Sequence, residues 1–91
     1  MKPRVTVSID EEGILEIWIN EAGRDALLKA LSDLDERNDH FHLTTDLTWG
    51  DITLSDIPYR SSDSLIDTAK VMFRPDKWDL KYFPHVFSRP D

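Results

Sequence analysis

RVTVSIDEEGILEIWINEAGRDALLKALSDL, running from Arg4 to Leu34, is the stretch that decides the fold. Its first six residues alternate strictly, with Val5, Val7 and Ile9 on one face, as a half-buried strand requires. Asp10-Glu11-Glu12-Gly13 reads as a turn, and Ile14 to Ile19 as the return strand of a hairpin. On that strand Leu15, Ile17 and Ile19 share one face, and Ile14, Glu16 and Trp18 share the other. The second face is itself partly apolar, so it is expected to be covered rather than bare to water. The hydrophobic period then changes from 2 to 3.6. Asn20 is placed to cap a helix through its side-chain oxygen, with Glu21 at the positive end of the dipole. Ala22, Ala26, Leu27, Ala30, Leu31 and Leu34 form one apolar stripe. Gly23 weakens the first turn by up to ~1 kcal/mol relative to Ala, and Asn38 is expected to end the helix.

Beyond the helix the alternation returns. His40-Phe41-His42-Leu43-Thr44-Thr45 puts Phe41 and Leu43 inward and His40, His42 and Thr44 outward. Trp49-Gly50-Asp51 marks a turn or bulge before a short strand, Ile52-Thr53-Leu54. Residues 55–63, with Pro58 and a Ser-Ser-Asp run, are a loop by composition. Ser64 to Arg74 reads as the longest strand, stopped by Pro75. The aromatic tail, residues 76–91, allows a short helix around 76–82 and then an extended end, because Pro84 forbids one long helix.

The expected architecture is a single α+β domain over residues 1–91. It has about five mainly antiparallel strands in the order strand-strand-helix-strand-strand-strand, with one amphipathic helix packed on one face. The opposite face must then be covered by the tail, a second copy or a partner.

Composition narrows the function classes. A chain of 91 residues has room for one modest core. Its net charge is −7, and residues 1–56 hold 13 acids against 5 bases. Residues 57–91 hold 5 acids against 6 bases, so the acidity belongs to the body and not to the tail. Such a surface repels nucleic acid and anionic membranes and suits a basic protein partner. There is no cysteine, and no apolar stretch is long enough to span a bilayer. The expectation is a soluble, cytoplasmic protein.

Motifs for catalysis are weak. The chain has no Gly-x-Ser-x-Gly elbow and no glycine-rich phosphate loop, and its paired carboxylates sit at turns and helix ends. The reading is therefore non-enzymatic, with no cofactor. His40-x-His42 places two imidazoles on one strand face at a spacing metal sites use, but a third ligand would have to come from Glu16 or His85. A small metal-binding module or metal-dependent enzyme is thus one alternative, and a homodimer built on the open sheet face is another. For the leading reading, a protein-binding domain, the expected contact residues are Glu16, Trp18, His40 and His42 on the open face, with Trp49 and Asp51 at the turn. Tryptophan is favoured at binding hot spots, and Trp18 and Trp49 are placed ahead of Trp78.

His40-Phe41-His42-Leu43-Thr44, followed by Trp49-Gly50 and Leu54, resembles a family of small immunity proteins from bacterial polymorphic-toxin systems. Leu15–Leu34 resembles the strand and helix that precede these motifs in that family, and Ser64–Pro75 resembles its following strand. The single glycine after Trp49 and the aromatic tail beyond Pro75 depart from the pattern. The resemblance implies a protein that binds and blocks a cognate toxin, and the acidic body would suit a basic toxin domain.

Overall fold

A computed structural model describes residues 1–88. The hairpin and helix form where the sequence places them. Strand β1 (Val5–Ile9) pairs antiparallel with β2 (Leu15–Ile19) in the register Val5 to Ile19 and Val7 to Ile17. Helix α1 (Glu21–Ser32) starts at Asn20, whose side chain accepts from the Gly23 N–H. It stops at Asp33 and not at Asn38. Asp35 captures the chain first, its carboxylate accepting from the backbone N–H groups of Arg37 and Asn38.

The remaining strands correct the expected order. Strand β3 (His40–Thr44) and the two-residue β4 (Ile52–Thr53) are parallel neighbours, not antiparallel ones. The expected long strand at 64–74 is two strands, β5 (Ser64–Leu65) and β6 (Thr68–Met72). β5 pairs with β1, whereas β6 pairs with β3. The break falls at Ile66-Asp67, where the Ile66 N–H donates to Val7 O and the Thr45 N–H donates to Asp67 O. There the chain leaves one sheet for the other, a switch that local alternation does not encode. Among the described residues the result is an α+β fold of six strands in two open three-stranded sheets, ordered β2-β1-β5 and β4-β3-β6. Residues 54 and 55 also bridge the sheets, Leu54 N–H donating to Thr44 O and Ser55 N–H to Val5 O.

One apolar cluster joins both sheets. Val5 and Val7 of β1 meet Phe41 and Leu43 of β3, together with Ile52 and Leu54. Leu27 and Ala30 of α1, with Leu34 just past its end, close it on one side, and Ile66, Ala69 and Val71 pack against it. The other face of β1 is covered as well, since Thr6 and Ser8 are fully buried.

After Pro75 the tail forms a short helix, α2 (Asp76–Tyr82), as expected. The segment beyond it is a 3-10 turn at Pro84–Phe87 rather than an extended end, because Pro84 is set at its first position. Neither element buries a residue, so the described part of the tail does not cover the sheets. Among the described residues no helix is long and apolar enough to cross a membrane.

Candidate functional site

The six expected contact residues fall into two groups on different sheets. Glu16 and Trp18 lie on β2, while His40 and His42 lie on β3 with Trp49 and Asp51 beside them. The single open face expected to carry Glu16, Trp18, His40 and His42 therefore does not form, because β2 and β3 belong to separate sheets.

Glu16 and Trp18 are engaged internally. Loop 55–63 folds over their face of β2, and the Tyr59 ring stacks on the Trp18 indole at 4.2 Å and 10°. The Arg60 guanidinium stands 5.2 Å above the same indole and pairs with the Glu16 and Asp63 carboxylates. The Asp63 side chain is completely buried in this arrangement. Beneath the loop, Thr6 Oγ1, Ser8 Oγ and Trp18 Nε1 are buried without a hydrogen-bonding partner among the described residues. Trp18 is thus a packing residue, and Tyr59 and Arg60 are its lid. Sequence reasoning missed this lid because composition marks 55–63 as a loop but says nothing of what the loop rests on.

The second group is open to solvent. β3 and β6 are paired with His40 opposite Met72 and His42 opposite Lys70, which puts these four side chains on the face away from the core. His40 and His42 meet edge to face with ring centroids 5.0 Å apart, and His42 meets the Trp49 indole at 5.6 Å. Three rings thus run in a row along the strand. Trp49 is 46% exposed.

The turn that carries Trp49 is rigidly seated. Asp51 accepts from the His42 N–H through its carboxylate at 2.8 Å and returns its own N–H to the His42 carbonyl at 3.0 Å. Gly50 takes a φ of +92°, and a Cβ there would stand 2.6 Å from the Thr44 methyl. Asp46 closes the start of the turn by accepting from the Thr48 N–H and hydroxyl. The Thr48 hydroxyl is the main reason that the Asp46 carboxyl lies below its ordinary range. Asp51 therefore acts as the clamp of the turn.

At the other end of the row stands Asp39, which sequence reasoning passed over although a carboxylate next to a histidine was a usable signal. His40 Nδ1 donates to it at 2.7 Å and the Arg74 guanidinium at 3.1 Å. The His40 hydrogen bond, with smaller help from Arg74, lowers its pKa. A cleft of about 300 Å³ lies between α1 and β3–β4, lined by Ala26, Lys29, Asp33, His40 and Asp51 among others.

Neither of the expected third ligands, Glu16 or His85, is placed at the histidine pair; the carboxylates beside the two rings are Asp39, 2.7 Å from His40 Nδ1, and Asp51, 4.0 Å from His42 Nδ1. Glu16 is held by Arg60, and His85 lies in the tail against Phe83. Among the described residues no group of three or more His, Cys, Asp and Glu side chains is arranged to hold a metal ion.

No protein-family model, curated protein or solved structure matches the chain.

Proposed function

We propose that this chain is a non-catalytic protein-binding domain whose contact surface is centred on Trp49, His42 and His40. The observation that carries this reading is the Trp49 turn. Gly50 and Asp51 fix a tight backbone path whose effect is to hold a large indole outward, beside two imidazoles, instead of burying it. A half-exposed aromatic on a pre-ordered turn loses little conformational entropy on binding, which is the property of a hot spot.

The narrower proposal is an immunity-type inhibitor of a basic toxin domain. It is supported by the resemblance at residues 40–54 and by the acidic balance of residues 1–56, which favours fast, salt-sensitive association with a basic surface. The test begins with the neighbouring gene, which on this reading encodes a toxin domain. Co-expression is expected to protect a host from that domain. Trp49→Ala is expected to weaken binding by ten-fold or more, about 1.4 kcal/mol or above, while thermal stability stays unchanged. Protection undiminished by Trp49→Ala would place the contact surface elsewhere. The absence of any toxin domain beside the gene would remove the immunity reading and leave the broader one standing.

A further inference from the structure

Strand β2 is an outer strand of its sheet, and its free edge lacks the devices that normally keep such an edge from pairing. Proteins protect edges with Lys, Pro, bulges or very short strands. β4 has only two residues, and β6 carries Lys70. β2 has five residues with no Pro, no Lys and an unbroken register to β1. Its one charge, Glu16, is already neutralised by Arg60.

The backbone geometry follows from the hairpin. Asp10 N–H donates to Ile14 O and Asn20 N–H to Arg4 O, so the even-numbered residues of this strand turn their polar groups toward β1. By alternation Leu15, Ile17 and Ile19 turn theirs outward. The same three residues carry an exposed apolar row, and Leu28 and Leu31 add to it. These five side chains are 44–59% exposed. The two leucines lie on the flank of α1 opposite the one where Ala26 and Lys29 face Asp51 and Ile52.

We infer that β2 pairs antiparallel with β2 of a second copy of this chain, about a two-fold axis at Ile17. The register is self-complementary. Ile17 faces Ile17 of the second copy, and Leu15 faces its Ile19, so every outward N–H and C=O of the three residues finds a partner. Glu16 then faces Trp18 of the second copy, and no like charges oppose each other within the strands. The joined sheet has six strands, β5-β1-β2 and its symmetry mate, with both α1 helices on one face and their Leu28 and Leu31 side chains toward the seam. At roughly 100 Å² per half-exposed Leu or Ile, the apolar part alone comes to on the order of 1,000 Å² over both copies, the lower bound for a specific interface. A foreign strand would satisfy the backbone edge, but only the chain itself is bound to match this row residue for residue.

Sedimentation equilibrium of the full chain tests this, with Ile17→Lys as the variant. The wild type is expected to be a dimer at micromolar concentration, with a Tm that rises with protein concentration. Ile17→Lys sets two lysines face to face at the axis and is expected to give a folded monomer with a concentration-independent Tm. Added salt is expected to strengthen the dimer. The register sets Gly13 opposite Glu21 of the second copy, bringing the acidic turn Asp10–Glu12 near that glutamate. A second measurement does not depend on Ile17→Lys folding. The chain has no native cysteine, and an antiparallel hydrogen-bonded pair has Cα atoms ~5.5 Å apart, within disulfide reach. Ile17→Cys is therefore expected to cross-link completely under mild oxidation, and Ser62→Cys, on the exposed loop, is not. A monomeric wild type, a dimer that survives Ile17→Lys, or equal cross-linking at 17 and 62 overturns the inference.

Discussion

The side-chain amide of Asn20 makes three hydrogen bonds that tie separate parts of the chain together. Its oxygen accepts from the N–H groups of Gly23 and Arg4 at 2.7 and 2.8 Å, and its nitrogen donates to the Lys2 carbonyl at 3.0 Å. It caps α1 and also holds the entry to β1 against the exit from β2. Gly23 is buried for the same reason, since a Cβ there would stand 2.4 Å from the Arg4 carbonyl oxygen. Its helix-weakening cost is accepted so that strand and helix can approach. A helix cap alone contributes about 1 kcal/mol, and two further partly buried hydrogen bonds add to it. Asn20→Ala is expected to destabilise the chain by about 2–3 kcal/mol in urea denaturation, with an unchanged m-value. The cap was legible from residues 20–23, but the two bonds to Lys2 and Arg4 span 16 to 18 positions and left no local trace. Asp39 supplies the pH-dependent case. Its pKa is lowered by the His40 hydrogen bond and Arg74, so the folded state holds its ionised form more firmly than the unfolded state does. The resulting stability is present above the ordinary carboxylate range and disappears as pH falls through the lowered value. The stability gap between wild type and Asp39→Asn is expected to be visible at neutral pH and to close below pH 3.8. A gap that persists unchanged into strong acid would assign the effect to something other than ionisation.

Among the elements, the hairpin and the start of α1 were legible because each carries its own period, whereas the end of α1 was not, since the helix stops at Asp33 ahead of the expected Asn38. The segment 64–74 was not, because alternation reports which face a residue takes and not which strand it joins. Ser64-Leu65 and Thr68–Met72 keep nearly the same pattern while serving different sheets. β2 shows a second kind of ambiguity. Both its faces are apolar, so the pattern could not say whether Trp18 or Ile17 would be covered. Tyr59 decides it by stacking on Trp18, which leaves Ile17 59% exposed. That dependence makes the lid testable. Arg60 is a trypsin site, held in place by its two carboxylates and by the stack beside it. An aromatic pair contributes about 0.5–1.5 kcal/mol beyond its area. Tyr59→Ala is therefore expected to raise the rate of tryptic cleavage after Arg60 several-fold under native conditions, with cleavage at Arg24 in α1 unchanged. Equal acceleration at both sites would mean global unfolding and not release of the loop.

The whole molecule is longer than its size requires. A compact chain of 91 residues has a radius of gyration of about 12 Å, whereas this one has 15.5 Å and extents of 42 × 30 × 23 Å. Part of the reason lies after Pro75. Trp78, Tyr82 and Phe83 pack on one another, and the Arg74 guanidinium covers Trp78 at 4.7 Å. This local cluster leaves Leu80, Val86 and Phe87 exposed and adds nothing to the core of the two sheets. The body retains the histidine–tryptophan row and the β2 edge without help from α2. Among the described residues one ion pair joins α2 to the body, Lys77 with Glu36 at 3.2 Å; it is exposed at both ends and contributes little. A chain ending after Pro75 is therefore expected to fold cooperatively with nearly the stability of the full chain. Loss of the ion pair and the Arg74–Trp78 contact should cost about 1 kcal/mol, or roughly 4–8 °C in Tm. Scanning calorimetry of the two lengths checks this, and a loss several times larger would show that the tail belongs to the core. If the Trp49 turn is the binding surface, the shortened chain also keeps its partner affinity. An affinity lost together with the tail, while stability is kept, would move the contact surface to the exposed aromatics of residues 78–87.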